Sequence, residues 1–237
     1  MTSAPYQFPV AISRLSDEET TREPQNLRAI RWLLEQHGRG VVVVTPQKQF
    51  SGESLQRLVS QNGVAHATWR GLSSVSLAGR RVLCAWPDRK RLNDLWGVEM
   101  DALVVIEWNE SETAEWIADV NPIQLYHGRT KRVDLDDGAA KNEDSLPNGV
   151  EGILEYVASM AAGYSSGLKW NEEGMLKADM MNRPERWIPI TVEQVRAKCK
   201  KLGMSPNDID TISGFLQHRK AGRRFNIRGA YRTFQFK

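Results

Sequence analysis

The apolar positions of this chain change period repeatedly. Leu27, Ile30, Leu33 and Leu34 recur at helical spacing, and His37-Gly38 closes that helix. Val41–Val44 is an unbroken β-branched run, as expected of a strand buried on both faces, and Thr45-Pro46 ends it. A helix opens at Ser51 with Leu55, Leu58 and Val59 inward, and a strand follows over Val64–Trp69. Gly71–Gly79 reads as turns, Val82–Ala85 as a strand, Arg89–Trp96 as a short helix and Leu103–Glu107 as another buried strand. Ser111–Val120 is a helix, and Ile123–Tyr126 a fifth strand. This alternation predicts an α/β fold: a doubly wound, mostly parallel sheet in three layers. Residues 1–25 lack the pattern and are expected to form a poorly ordered arm with an edge strand near Phe8–Ile12.

The pattern changes after an acid-, Gly- and Asn-rich stretch at residues 134–149, which reads as a linker. Val150–Ala162 and Glu172–Met181 have helical character, and Pro184 and Pro189 interrupt the chain. Thr191 with Gln194 three residues on is a capping-box signal, and Gly203 ends that helix. Ser205-Pro206 opens another, with Ile209, Ile212, Phe215 and Leu216 inward. Phe225–Phe236 alternates in a way that suits a basic β-hairpin or an extended tail. The expected organisation is an arm (1–25), an α/β domain (26–133), an acidic linker (134–149) and a smaller, helical, basic region (150–237).

Charge sharpens this division. Residues 183–237 hold 13 Lys or Arg against four acids, a net +9, and the preceding residues hold 19 against 25, a net −6, which together give the formal +3. A cationic cluster attracts polyanions. The basic candidates are Lys198, Lys200, Lys201, Arg219, Lys220, Arg223, Arg224, Arg228 and Arg232, with Tyr231 and Phe234 as rings on which bases would stack. The competing reading is a solvated basic face. The helix pair 191–220 has the dimensions of a helix-turn-helix, but Asn207, Asp208 and Asp210 open its second helix, which favours backbone or single-strand contact over reading of base edges.

Two cysteines, Cys84 and Cys199, exclude a disulfide framework and a Cys-only zinc site, and both lie in apolar patterns. No apolar run reaches the length of a membrane span, and residues 1–16 do not resemble a secretory signal, so a cytoplasmic protein without a membrane partner is expected. The four histidines share no metal-ligand spacing. Glu107 and Asp88 follow strand ends, where open α/β sheets place ligands. With Asn109 nearby they are candidates for a site holding one Mg²⁺ in a nuclease or hydrolase, but capping of the following helices is the favoured reading. Six of the eight tryptophans fall between Trp32 and Trp116, several at strand or helix ends, as core or as an edge that binds a protein partner.

The order Leu27–Gln36, VVVVTPQKQF (Val41–Phe50), VLCAWPDRKRL (Val82–Leu92) and ALVVIEWNES (Ala102–Ser111) resembles the N-terminal RecA-like domain of superfamily 2 helicases. The resemblance aligns Thr45 and Pro46 with one nucleic-acid contact motif and Pro87, Arg89 and Leu92 with the next, and it places Glu107 at the metal-binding carboxylate. A second register resembles the C-terminal RecA-like domain, with Arg129 and Arg132 of YHGRTKR as arginine fingers. The chain departs from the family at the phosphate loop, because Leu15–Asn26 contains neither Gly nor Lys. Trp108 also stands where the water-positioning Glu belongs. The resemblance therefore implies a degenerate helicase-like domain without stand-alone ATPase chemistry; no cofactor is expected other than Mg²⁺ as a candidate, and nucleotide binding is left open. The expected function is a non-catalytic nucleic-acid-binding accessory protein in replication, recombination or a mobile-element process, with single-stranded or duplex nucleic acid undecided. The alternative is the metal- or nucleotide-dependent nuclease or hydrolase.

Overall fold

A computed structural model gives the fold and describes residues 6–16, 19–126, 129–131, 146, 149–162 and 167–236. The chain divides into two compact units, residues 3–138 and 139–237. The first contains strands β1 (Val10–Ser13), β2 (Val41–Thr45), β3 (Val64–Thr68), β4 (Arg81–Ala85), β5 (Ala102–Ile106), β6 (Ile123–Tyr126) and β7 (Arg129–Lys131). Helices α1 (Glu23–Leu34), α2 (Glu53–Val59), α3 (Arg89–Asp94) and α4 (Glu110–Val120) lie between them, and Trp69–Ser74 forms a 3₁₀ turn.

The seven strands pair in the order β3-β2-β4-β5-β1-β6-β7. Every pairing is parallel except that of β7 with β6. Successive strand residues face opposite sides, so the apolar runs feed two cores at once. Ala11, Val41, Val43, Leu83, Val104 and Ile106 pack with Ala29 and Leu33 of α1 and Leu55 and Leu58 of α2. Ile12, Val42, Val44, Cys84, Leu103 and Val105 pack with Leu92 of α3 and Trp116 of α4. The result is the expected three-layer, doubly wound arrangement, consistent with a RecA-like fold.

The expectation for the first strand is overturned. Val10–Ser13 is not an edge strand on an arm but an interior strand between β5 and β6, with all four residues buried. The pairings of Val10 with Leu103 and Ala11 with Ile123 secure it, and these are contacts across about a hundred residues that no local pattern carries. The helix after it starts at Glu23 with Pro24 in its first turn. The order of the sheet also defines a switch point. β1 leads through α1 to β2, and its neighbour β5 leads through α4, on the opposite face, to β6.

The second unit holds α5 (Val150–Ala162), α6 (Trp170–Asn182), α7 (Pro184–Trp187), α8 (Val192–Lys201) and α9 (Pro206–Lys220) around Leu154, Leu176, Met180, Trp187, Cys199, Ile212 and Leu216. The capping box forms at Thr191–Gln194, and the Ser205 hydroxyl accepts from the Asp208 amide at the start of α9. Residues 225–236 form neither a hairpin nor a free tail; a 3₁₀ turn at Gly229–Tyr231 is their only regular element. Asp179, fully buried, accepts from the Trp187 indole (2.8 Å) and the Phe236 amide (2.9 Å), and Asn182 donates to the Arg232 and Phe234 carbonyls. The linker stretch lies outside the described residues except at Leu146 and Gly149.

Candidate functional site

Ligands of open α/β sheets bind at the carboxyl ends of the strands, at the switch point. Here that is the crevice between β1 and β5, with the loop of residues 14–22 where a strand–loop–helix phosphate cradle would lie. The chain's own side chains fill this position. Glu107, 1% exposed, accepts from the Thr113 hydroxyl on Oε1 (2.7 Å) and from the Leu15 amide (2.8 Å) on Oε2, which is also ion-paired with Arg14 Nε (3.2 Å). Arg14 also reaches the exposed carboxylate of Glu110, and its carbonyl accepts from Arg28, which is ion-paired with Glu19. Gln25, buried at the start of α1, donates to the carbonyls of Ser13 and Glu107, both at 2.9 Å, and its own carbonyl accepts from the Ser13 hydroxyl. Arg22 donates to the carbonyls of Glu107 and Trp108 and lies 4.3 Å from the Trp108 ring centre. Burial pushes the Arg22 guanidinium below its usual range, opposed by the charge of Glu107.

Both oxygens of Glu107 are thus engaged by protein donors. Asp88 caps α3 through the Arg91 amide (2.8 Å), and Asn109 caps α4 through the Ser111 amide (3.0 Å). The two candidate carboxylates act as a buried clamp and a helix cap. Among the described residues no group of three or more His, Cys, Asp or Glu is placed to hold a metal ion. Of the residues aligned with helicase contact motifs, the Thr45 hydroxyl donates to the Gln47 carbonyl (2.7 Å) and meets His66 Nε2 (2.8 Å). The imidazole is then the donor to Thr45, in its Nε2–H form. Burial and the nearby Lys48 lower the His66 pKa. Pro46 is exposed, Pro87 and Leu92 are buried, and Arg89 pairs with Glu115. Arg129 lies on β7 and Arg132 outside the described residues.

The tryptophans at this edge form a row. Phe50 meets His66 and Trp86 edge-on, and Trp86 meets Trp108 the same way. Trp86 has a left-handed backbone (φ 53°), which costs a bulky residue about 1–2 kcal/mol. Trp108 is 54% exposed, whereas Trp69 and Trp96 are half-buried. At the opposite, amino edge an open cavity of about 840 Å³ is lined by His37, Glu99 and Asp101 among others. His37 lies beyond the α1 cap, which is Glu35.

The basic candidates of the second unit separate by environment. Lys198 bridges Glu151 and Glu155 of α5, and these bonds raise its pKa. Arg219 donates to the Met180 and Arg223 carbonyls. Tyr231 donates to Asn171 (2.9 Å) and packs on Gly174, and Phe234 stands edge-on between Tyr231 and Phe236. These four serve the unit's own packing. Lys200, Lys201, Lys220, Arg223, Arg224, Arg228 and Arg232 are exposed. Lys220 reaches the Ile188 carbonyl, and Arg228 lies 4.5 Å from the ring centre of Trp170, which is 55% exposed. Neither the Arg14–Glu107 clamp nor the Trp170–Arg228 pair was among the sequence candidates. Their partners lie 93 and 58 residues apart. Compared with protein-family models, curated proteins and solved structures, the chain matches none. No described helix is long and apolar enough to cross a membrane.

Proposed function

We propose that this chain is a non-catalytic nucleic-acid-binding accessory protein whose α/β unit is a degenerate helicase-like scaffold and whose second unit carries the contact surface. One observation carries the reading. From residue 211 to 237 the sequence has seven Lys or Arg and no acid, and Lys220, Arg223, Arg224, Arg228 and Arg232 are exposed without a carboxylate partner among the described residues. Such a run raises the local phosphate concentration and releases counterions on contact. The first unit supports the non-catalytic half of the reading. A carboxylate whose oxygens are already bonded to Thr113, Leu15 and Arg14 is not presented to a metal ion or a water. The test is an Arg223→Ala, Arg224→Ala double variant of the full chain, titrated against a labelled oligonucleotide at several salt concentrations. The expected outcome is weaker binding and a log–log salt slope shallower by about one to two units. An unchanged slope removes this patch from the interface.

A further inference from the structure

We infer that the contact surface takes unpaired bases, with Trp170 as the stacking ring and Arg228 as its cationic partner, so that the ligand is a single-stranded nucleic acid. This rests on the nucleic-acid reading above and specifies its substrate. The two rings that the sequence singles out, Tyr231 and Phe234, are half-buried and engaged by the unit's own side chains. Among the described residues of the unit the most exposed ring is Trp170, the first residue of α6, at 55% against 42% for Tyr156, and Trp170 is the one with a guanidinium beside it. Every base has a π-face, and an exposed indole beside a guanidinium is the arrangement that stacks on bases without regard to sequence.

The pair is also held in place. The turn Gly229–Tyr231 is docked on α6 by the Tyr231 hydroxyl bond to Asn171 (2.9 Å). The absence of a side chain at Gly174 assists, since a Cβ there would lie 3.0 Å from the Tyr231 ring. Tyr231 meets Trp170 edge-on at 6.4 Å, and the residue before the turn is Arg228. The docking therefore sets the guanidinium over the indole before any ligand arrives, and such preorganisation lowers the ordering cost of binding. A guanidinium plane is itself a surface on which bases stack.

Among the described residues, the basic segment offers duplex reading no element of the right kind. The major groove admits a helix or a two-stranded ribbon. α9 is the helix that a helix-turn-helix would insert, and it opens with Asp208, which is buried, and Asp210, which pairs with Arg196. The exposed arginines follow that helix, in residues 221–236, where there is neither strand nor long helix.

The experiment is fluorescence anisotropy of labelled oligo(dT), oligo(U) and a mixed-sequence DNA duplex against the full chain, Trp170→Ala, Trp170→Phe and Arg228→Ala. Binding to the single strands is expected to exceed that to the duplex, and the deoxy and ribo arms decide which sugar is preferred. Trp170→Ala is expected to weaken single-strand binding roughly tenfold or more with an unchanged salt slope, and Trp170→Phe to recover part of the loss. Arg228→Ala is expected to make the slope shallower by about 0.7. Salt-sensitive binding that favours the duplex, or that Trp170→Ala leaves intact, overturns the stacking inference and leaves the nucleic-acid reading standing. No binding to any of the three at low salt overturns both.

Discussion

Replacing Glu107 separates a structural clamp from a functional carboxylate. Glu107→Ala removes the acceptor of the Thr113 hydroxyl and the Leu15 amide and the ion-pair partner of Arg14 at a position 1% exposed. Removing one partner of a buried ion pair costs about 3–5 kcal/mol, because the other charge stays behind. The Arg14 side chain keeps Glu110 and is 14% exposed, and the Thr113 hydroxyl keeps the Glu110 carbonyl at 3.3 Å, which points to the lower end, while the orphaned Leu15 amide pushes the cost up. About 3–4 kcal/mol is therefore expected for Ala. Gln can keep its oxygen toward the Leu15 amide and Arg14, which share Oε2, and turn its amide N–H toward the Thr113 hydroxyl, so the loss is chiefly that of the charge opposite Arg14 and about 1.5–3 kcal/mol is expected. Six of the eight tryptophans lie between residues 32 and 116, so tryptophan fluorescence in urea follows mainly the α/β unit. With a slope of about 1–3 kcal/mol per molar urea, Glu107→Ala is expected to lower the midpoint by at least about 1 M. Double-mutant coupling of Glu107 with Arg14 should lie within about 1–3 kcal/mol. An unchanged or raised midpoint in both variants refutes the clamp, since a carboxylate kept for function at the expense of stability behaves in that way.

Other expectations follow from burial. Desolvation pushes the Cys84 thiol up strongly and the Cys199 thiol up to about 12, so neither should react with a thiol reagent at pH 8 until the protein unfolds; labelling of the native chain would contradict this. The His66 pKa is lowered in the folded state, so the unfolded chain binds the proton more readily. Stability is then full above the unfolded value of about 6.5 and falls as the pH drops through the folded pKa, and His66→Gln should flatten the urea midpoint between pH 7.5 and 5. Asp179→Ala leaves the Trp187 indole and the Phe236 amide without an acceptor in the core of the second unit. A loss of about 2–4 kcal/mol, followed by far-UV circular dichroism in urea, is expected, and a loss below about 1 kcal/mol would show that the carboxylate does not secure residues 232–236.

Local pattern carried the apolar strands β2, β4 and β5 and even β3 at one edge, but neither the place of β1 nor β7 at the other edge. Val41–Val44 and Leu103–Ile106 read as buried strands because both faces are apolar, and Thr191–Gln194 read as a helix start because its hydrogen bonds close within four residues. β1 has only four residues and a polar stretch after it. Its place at the centre depends on pairing with β5 and β6, which belongs to the sheet and not to the segment. β7 is three polar residues, without an apolar face to reveal it. The candidate site divided in the same way. Glu107 was legible as a carboxylate at a strand end, but its neutralisation by Arg14 was not, since that contact exists only once β1 and β5 are neighbours. Lys198 reads as a surface cation until α5 brings Glu151 and Glu155 against it. Trp170 drew no notice because the tryptophans concentrate in the other half. Its significance comes from the turn that sets Arg228 over it.

The central claim, a cationic surface for nucleic acid on a scaffold without catalysis, is tested most directly by the salt dependence of single-strand binding by the unmodified chain. If Lys220, Arg223, Arg224, Arg228 and Arg232 each meet a phosphate, log K against log salt should fall with a slope of about −3 to −4. A slope near zero, or no binding at low salt, would mean that these side chains form a solvated face.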